Sequence, residues 1–248
     1  MESIAEKTNE MYANCSPIEK KYYDENIKIS EQNAEEMYVE TELQDDDLWH
    51  RMRYGRITGS ICYSLFTYAN NKKADWGKKL ENTFCSTFKG NENTVYGLVR
   101  EEDDKEVFES KNPEKKIVRA GILIHPLVPW LGYSTDGIIC ENSVPTSLWE
   151  NKALKAGRKK NADELKNVAK CLVDGKLKKN HSYNGQVQLG MVMYSLPQCE
   201  FTLYSKKNED VYINTVMFDE KFCLKMLQTL TEIYFKNVLP YLCSNSNK

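Results

Sequence analysis

The sequence predicts an α/β fold in which a small, mixed, twisted sheet is flanked by helices. Two β-prone runs within Pro129–Lys152 are joined by the turn-forming residues 141–145, which is typical of a hairpin. Residues 199–205 and 211–217 alternate around a polar loop and predict a second hairpin. Helical apolar spacing over 183–196, and from Asp219 to a stop at Pro240, predicts two of the flanking helices.

Length and composition narrow the class of protein. A chain of 248 residues suits one or two domains with a sizeable core, and its net charge of −2 neither supports nor excludes a nucleic-acid partner. We expect no membrane-spanning helix, because no run of about 18 apolar residues occurs. The N-terminus lacks a signal-peptide pattern. The eight scattered cysteines form no Cys-x-x-Cys pair and indicate reduced thiols rather than a zinc site or a disulfide framework.

The distribution of polar residues predicts the domain organisation. Residues 1–47 are acid-rich and predict a peripheral, partly mobile N-terminal extension, with a partner-binding arm as the alternative. Residues 48–242 form one predicted domain, and 243–248 a C-terminal tail. Within the domain, Lys116–Ile124 predicts the strand before the first hairpin, and the spacing of Leu80, Phe84 and Phe88 predicts a helix.

The first hairpin carries the residues that point to chemistry. We place Asp136 on its first strand, and Glu150 and Lys152 two apart on its second, so that the last two share one sheet face. Two carboxylates and an ammonium on one face are costly to bury unless they share a ligand or a reaction. Mg²⁺ would satisfy both carboxylates, with Lys152 beside a metal-bound water.

Further motifs extend this pattern along the chain. The five pieces are the segment with Trp49, Arg53 and Arg56-Ile57-Thr58-Gly59-Ser60; Gly97 with Glu101; residues 129–137; Glu150-Asn151-Lys152; and Tyr183 with Gln186-Val187-Gln188. In this order and spacing, the chain resembles the phage lambda exonuclease / YqaJ-type viral recombinase family of PD-(D/E)XK nucleases over roughly Leu48 to Leu242. A lone Asp…Glu-x-Lys arises often by chance, whereas five ordered pieces are far more specific. Gly59 and Asp104 depart from the family pattern, which has Ala and a small residue there.

The resemblance implies a restriction-endonuclease-like fold and metal-dependent hydrolysis of DNA. Asp136, Glu150 and the backbone carbonyl of Asn151, assisted by Glu101, would hold one or two Mg²⁺, with Mn²⁺ as a substitute. Lys152 would orient or activate the attacking water. Which acid of the run 101–104 assists the metal stays open.

Phosphate contacts are predicted upstream of this site. Arg53, Arg56 and Ser60 are spaced by three and four, so they share a helix face or its end, and the resemblance assigns this segment to phosphate. The alternative is a solvated face with a surface ion pair. Ser134, two residues before Asp136, is either another phosphate contact or a hydroxyl bonded to backbone.

Gln186 and Gln188 lie about 200° apart on a helix and cannot both face one site. We expect Gln186 at the site, because small Gly190 leaves room one turn on, and Gln188 against a neighbouring element. Between Lys152 and Lys179, ten positive and three acidic residues give a local excess of +7. This stretch predicts a track for a phosphate backbone, with a solvated surface as the alternative.

The resemblance further implies a 5′-to-3′ exonuclease that resects ends of linear duplex DNA for recombination or repair. It also implies a possible homotrimer, a single-strand annealing protein as partner, and an intracellular site of action, the nucleus in a eukaryotic host and otherwise the cytoplasm. Three alternatives stay open: an endonuclease on the same core, an inactive DNA-binding protein, and an interaction domain in which Glu150 and Lys152 are a surface pair.

Overall fold

The structure is a computed structural model that describes residues 1–44, 46–85 and 92–245; for residues 92–101 it describes the backbone only. The chain forms two compact units, each assembled from separate stretches of sequence. The first unit is Met1–Thr87, Gly121–Ser134 and Asp219–Lys248, and the second is Phe88–Ala120 and Thr135–Phe218. This division differs from the single domain expected over 48–242.

The bounds of the elements follow the chain in order. The helices are α1 (Glu2–Ala13), α2 (Pro17–Asn26), α3 (Glu31–Glu40), α4 (Asp47–Arg53), α5 (Gly59–Tyr68), α6 (Trp76–Phe84), α7 (Glu92–Lys111), α8 (Ala162–Val168), α9 (Ser182–Tyr194), α10 (Glu220–Ile233) and α11 (Leu239–Asn245). The strands are β1 (Ile57–Thr58), β2 (Lys115–Val118), β3 (Leu123–Ile124), β4 (Leu131–Tyr133), β5 (Gly137–Glu141), β6 (Val144–Lys152), β7 (Leu172–Val173), β8 (Lys176–Leu177), β9 (Gln198–Ser205) and β10 (Asp210–Met217). A 3₁₀ turn covers Lys155–Arg158, and a π-helical turn covers Tyr234–Val238.

The first unit is mainly helical and contains a small sheet in the order β1-β4-β3. Strand β1 runs parallel to β4, and β3 runs antiparallel to it. Helix α10 packs against α1 and α5. The ring of Trp130 lies 5.4 Å from that of Tyr234, whose hydroxyl donates to the carbonyl of Gly55 at 3.0 Å. Buried aromatic rings therefore hold the helices and the small sheet together.

The N-terminal segment contributes to the core of the first unit, which differs from the peripheral extension expected for residues 1–47. Helices α1 and α2 bury the side chains of Ile4 and Tyr23, and Ile27, directly after α2, is buried as well. The buried hydroxyl of Thr8 accepts a hydrogen bond of 2.9 Å from the indole nitrogen of Trp130. Composition concealed this role, because a few apolar residues face the core while the rest of these helices is charged.

The second unit is built on a five-stranded mixed sheet in the order β10-β9-β6-β5-β2. Strands β6 and β9 are parallel, and the other neighbouring pairs are antiparallel. Helix α7 packs against β2, β6 and β10, and α9 packs against β6 and β9. Strands β7 and β8 form a separate hairpin. The predicted α/β class, with a small mixed sheet flanked by helices, is confirmed.

The hairpin of β5 and β6 turns tightly. Asn142 and Ser143 both have left-handed φ values, 51° and 66°, as the commonest two-residue hairpin turn requires. A Cβ at Gly137, the first residue of β5, would lie 2.4 Å from Cγ2 of Ile117 on β2. The close approach of these two strands therefore excludes a side chain at position 137.

Two predicted strands are each divided between sheets. The run predicted from Pro129 forms β4 in the small sheet and β5 in the five-stranded sheet, and residues 134–136 lie outside both. Asp136 is thus at a bend immediately before β5 rather than on a strand. The run 116–124 likewise forms β2 and β3, which belong to different sheets. Local β-propensity indicates strands but does not show which sheet they join.

Two helix boundaries also differ from expectation. The prediction that Pro240 ends the last helix is wrong: the π-helical turn leads into α11, which carries Pro240 at its second residue and continues to Asn245. In the π-helical turn before Pro240, the N–H of Leu239 bonds the carbonyl of Tyr234. This shifts the hydrogen-bond pairing next to the residue that lacks an N–H, and the helical backbone continues. Residues 243–245 are therefore helical, and 246–248 lie outside the described residues. Helix α6 includes Leu80 and Phe84, whereas Phe88 is not described.

Among the described residues, no helix is both long and apolar enough to cross a bilayer.

Candidate active site

The second unit brings Asp136, Glu150 and Lys152 together. The ammonium of Lys152 forms an ion pair with Oε1 of Glu150 and lies 3.8 Å from Oδ2 of Asp136. The side chain of Glu150 is only 1% exposed, and those of Lys152 and Asp136 are 20% and 25% exposed. Both carboxylates therefore converge on one cation in a largely buried setting.

The charges around Lys152 decide its protonation state. Burial alone would lower the pKa of its ammonium. The nearby carboxylates of Glu150 and Asp136 raise the pKa by more than burial lowers it, so the net shift is upward. Lys152 is therefore a cation at neutral pH in this arrangement. It also lies 5.2 Å from the ring centre of Tyr183, which favours the charged form.

Helix α9 supplies a further polar contact to the carboxylate of Glu150. Nε2 of Gln186 donates a hydrogen bond of 2.6 Å to Oε1 of Glu150, the oxygen that also meets Lys152. Gln188 instead donates to the carbonyl of Met217 at the end of β10, at 2.8 Å. The two glutamines thus face the directions expected from helical spacing, with Gln186 at the site and Gln188 against a neighbouring strand.

Asn151, between the two charged residues of β6, is bonded through both its backbone and its side chain. Its backbone N–H donates to Oδ2 of Asp136 at 2.8 Å, and its side-chain Oδ1 accepts from the hydroxyl of Thr202 at 3.1 Å. Its Nδ2 donates to Oδ2 of Asp104 on α7.

Asp104 was expected only as one of the acids of the run 101–104 and as a departure from the family pattern, and its bond to Asn151 was not predicted. Phe108, four residues later on α7, is also buried, and residues four apart on a helix share a face, so the aromatic residue at 108 indicated that position 104 faces the core.

The position of Glu101 is described only through the backbone of α7, and its side chain lies outside the described residues. Its supporting role at a metal stays a prediction. Among the described side chains, no group of three or more His, Cys, Asp or Glu is arranged to hold a metal ion.

The described oxygens nevertheless suit Mg²⁺. This ion prefers hard oxygen ligands and is usually held by one or two carboxylates together with waters and substrate phosphates. Asp136 and Glu150 are two such carboxylates, and with Lys152 alone they leave an excess of one negative charge. That excess, on groups this buried, is the environment a divalent cation would neutralise.

A second polar cluster lies in the first unit and contains Arg53, Ser60, Ser134 and Trp49. The guanidinium of Arg53 donates to Oγ of Ser60 at 3.2 Å and to Oγ of Ser134 at 3.4 Å. It lies 4.1 Å from the ring centre of Trp49, whose Nε1 donates to Oγ of Ser134 at 2.9 Å. Stacking on the indole fixes the plane of the guanidinium. We call these four residues the Arg53 cluster.

The Arg53 cluster holds a positive charge without a matching acid. Burial lowers the pKa of Arg53 to about 10, so the guanidinium remains charged at neutral pH. Within the described part of the chain, no carboxylate lies within ion-pair distance of it. Oγ of Ser134 accepts two N–H bonds, which leaves its own hydrogen to donate to a further acceptor. A partly buried cation beside two hydroxyls is suited to a phosphate oxygen.

Arg56 does not join this cluster, and its predicted phosphate contact is wrong. Its side chain is 2% exposed and donates to the carbonyls of Pro129, Met52 and Ile27 at 2.8–2.9 Å. The expected common helix face is absent because α4 ends at Arg53 and β1 precedes α5. Arg56 is therefore a structural residue that joins three backbone segments of the first unit.

The basic stretch after β6 is anchored by its backbone. The carbonyl of Lys160 accepts from Oγ of Ser205 on β9 at 2.6 Å, and a Cβ at Gly157 would lie 2.4 Å from the carbonyl oxygen of Tyr204. Most of its positive side chains are exposed: Lys155, Arg158, Lys159, Lys170, Lys176 and Lys179. The second unit thus presents a fixed basic surface.

Comparison with known proteins identifies a family that matches the sequence and solved structures that have a similar fold. The sequence profile of the YqaJ-like viral recombinase domain matches residues 48–195. No curated protein matches the sequence. The alkaline exonuclease LHK-Exo from Laribacter hongkongensis is similar in structure, with a TM-score of 0.61 and 17% identity over 82% of this chain and 98% of that chain.

The SOX protein of KSHV is also similar in structure. In its RNA complex it has a TM-score of 0.57 and 11% identity over 85% of this chain and 75% of that chain. In its DNA complex the TM-score is 0.54 and the identity 12%, over 85% and 72% of the two chains. At such low identities these likenesses show the fold, and they confirm the fold family predicted from the sequence.

Proposed function

The chain belongs to the YqaJ-like viral recombinase family, and on that premise we propose that it is a metal-dependent deoxyribonuclease that hydrolyses phosphodiester bonds. The observation that carries the proposal is the convergence of Asp136 and Glu150 on Lys152. Buried carboxylates held this close to a cation are typical of sites that perform acid–base or metal chemistry. The nuclease fold of the structural relatives supports the same proposed function.

Each side chain has a proposed role. Asp136 and Glu150, with the backbone carbonyl of Asn151 and with Glu101, would hold Mg²⁺, for which Mn²⁺ could substitute. When bound, the ion would lower the pKa of a water and offset negative charge on the phosphate under attack. Lys152 would orient the attacking water and contribute a positive charge. Gln186 restrains Glu150 through the 2.6 Å hydrogen bond to Oε1 and would contact a phosphate.

We assign the Arg53 cluster to a DNA phosphate. Arg53 has a cation without an acid partner among the described residues, and Ser60 and Ser134 place hydroxyls beside it. The fork of a guanidinium with adjacent hydroxyls matches the oxygens of a phosphate, and a terminal 5′-phosphate would offer the most negative charge. The basic surface after β6, in the second unit, would bind a phosphate backbone.

The proposed reaction is resection of linear duplex DNA in the 5′-to-3′ direction. One structural relative is an alkaline exonuclease that has been determined with dAMP, and another has been determined with DNA. These properties belong to those proteins and support the proposal for this one. A homotrimeric assembly, a single-strand annealing protein as partner and an intracellular site of action belong to the same proposal.

The experiment is degradation of DNA substrates that differ only in their ends. Linear duplexes with 5′-phosphate or 5′-hydroxyl ends, a closed circular duplex, and an RNA of the same sequence are incubated with the protein in Mg²⁺. Metal-dependent loss of linear DNA alone, faster with a 5′-phosphate, is the expected result. Cutting of the closed circle would replace the exonuclease by an endonuclease. Binding without cleavage of any substrate would favour an inactive DNA-binding protein.

A further inference from the structure

We propose that Asp104 is a positioning residue of the candidate active site, and that it acts by fixing the side chain of Asn151. The inference rests on the proposed nuclease function and identifies a residue that the catalytic motif does not contain. Asp104 lies on α7, and its Oδ2 accepts a hydrogen bond from Nδ2 of Asn151 on β6.

The burial of Asp104 requires an explanation. Its carboxyl group is 0% exposed, and a carboxylate is rarely fully buried unless its oxygens meet fixed donors. Four residues later, Phe108 packs its ring 6.4 Å from that of Trp149 on β6. This packing holds α7 on the sheet and brings Asp104 to the level of Asn151, two residues after Trp149.

Asn151 couples the two faces of the sheet. Successive residues of a strand point to opposite faces, so its side chain points toward α7 while Glu150 and Lys152 point toward α9. The contacts agree: Asn151 bonds Asp104 of α7, and Glu150 bonds Gln186 of α9. Any shift of Asn151 is transmitted to both charged neighbours through the peptide bonds.

The end of β6 needs this restraint because its pairing with β5 stops early. The last residue pair between the two strands is Gly137 with Trp149, whereas β6 continues to pair with β9 as far as Lys152. On the β5 side, the backbone N–H of Asn151 bonds the side chain of Asp136 instead of a strand. A side-chain restraint at Asn151 therefore also fixes the donor that orients Asp136.

The residue types determine how the amide of Asn151 is oriented. A carboxylate only accepts hydrogen bonds, so Asp104 selects Nδ2, whereas the Thr202 hydroxyl can donate or accept and donates to Oδ1 at 3.1 Å. Asp104 is therefore the partner that fixes the orientation of the amide. Alanine at position 104 would remove the acceptor and leave a buried N–H unsatisfied.

The test compares Asp104→Ala with Asp104→Asn, which can still offer an acceptor oxygen to Asn151. Glu106→Ala is the matched control, because Glu106 is an exposed acid on the same helix. The first readout is amide hydrogen exchange by NMR in metal-free protein without DNA. The second is kcat and KM for linear duplex DNA in Mg²⁺.

Asp104→Ala is expected to speed exchange at the backbone N–H of Asn151 by about tenfold or more, with β9 and β10 unaffected. It should lower kcat by about 10- to 100-fold with little change in KM. Asp104→Asn should restore both properties substantially, and Glu106→Ala should match the wild type. If Asp104→Ala does not fold, Asp104→Ser, which is too short to reach Asn151, is expected to show the same local effects.

Three results would overturn the proposal. One is unchanged exchange at Asn151 in the shortened variants, and another is unchanged kcat. The third is an Asp104→Asn enzyme as impaired as Asp104→Ala, which would assign the effect to the charge rather than to the hydrogen bond. The exchange experiment uses neither metal nor DNA, so it decides the positioning role even if the wild-type protein proves not to be a nuclease.

Discussion

The backbone N–H of Asn151 donates a hydrogen bond of 2.8 Å to Oδ2 of Asp136, and the ammonium of Lys152 lies 3.8 Å from the same oxygen. One carboxylate oxygen of Asp136 therefore meets both a backbone donor and a charged side chain. The backbone bond preserves the position of Asp136 when the side chain of Lys152 is changed. The two roles, positioning and charge, can thus be separated by substitution.

The first prediction concerns Lys152. We expect Lys152→Ala to bind duplex DNA and to lose cleavage by about 10²- to 10⁴-fold, because the group that orients the water and offsets phosphate charge is gone. Binding is measured by gel shift in EDTA, and cleavage by loss of labelled duplex in Mg²⁺. Lys225→Ala, which removes an exposed lysine of α10, is the control and should behave as wild type. Cleavage at the wild-type rate by Lys152→Ala would refute the assigned role.

The two glutamines of α9 should respond in different ways. Gln186→Glu replaces the amide whose Nε2 donates to Oε1 of Glu150 at 2.6 Å with a second carboxylate. The two like charges should lower kcat by about tenfold or more. Gln188→Ala removes the donor to the Met217 carbonyl and should lower the free energy of unfolding by about 1–3 kcal/mol. Its kcat should stay unchanged. Kinetics at saturating DNA and urea unfolding of each variant separate the two effects, and a reversed pattern would contradict the placement.

The hydrogen bonds of Arg56 should raise the free energy of unfolding. Arg56→Lys retains the charge but cannot reach the three carbonyls that the guanidinium contacts, so we expect a loss of about 2–5 kcal/mol. The measurement is the midpoint of urea unfolding. Exposed Arg51 provides the control, and Arg51→Lys should remain within about 0.5 kcal/mol of wild type. An Arg56→Lys protein of wild-type stability would show that these contacts contribute little.

Arg53 should discriminate between DNA ends. Arg53→Gln is expected to weaken binding of a 5′-phosphorylated duplex by about tenfold, and to weaken binding of a 5′-hydroxyl duplex less. Because burial lowers the pKa of Arg53 to about 10, the wild-type preference should fade as the pH rises past that value and the guanidinium loses its charge. Arg51→Gln, on the same helix, should show neither effect. Equal weakening for both ends would argue against a terminal-phosphate site.

Short-range patterns account for much of the geometry of the candidate site. Glu150 and Lys152 share a sheet face because they are two apart on a strand, and Gln186 and Gln188 diverge because helical residues two apart lie far around the axis. The antiparallel pairs β5–β6 and β9–β10 followed from the two hairpins. These features depend on residues close in sequence, and the resemblance to a known family joined them into one site.

The remaining features depend on contacts between distant residues. Arg56 is buried partly because the carbonyl of Ile27, 29 positions earlier, accepts one of its hydrogen bonds. Asp104 is a buried acid because α7 lies against Asn151, 47 positions later. Charge-rich composition concealed the helices that bury Ile4 and Tyr23. The proline rule misplaced the end of the last helix, because a π-helical turn before Pro240 lets the helical backbone continue.

The most direct test of the account is whether hydrolysis depends on both a divalent metal and Glu150. Linear duplex DNA labelled at its 5′ ends is incubated with wild-type protein in Mg²⁺, with excess EDTA, and with Glu150→Gln. Glu141→Gln, a partly exposed acid on the same hairpin, is the matched control. We predict degradation by the wild type and the control in Mg²⁺, none in EDTA, and a loss of about 10³-fold or more for Glu150→Gln. Undiminished hydrolysis in EDTA, or by Glu150→Gln, would contradict the proposed metal-dependent site.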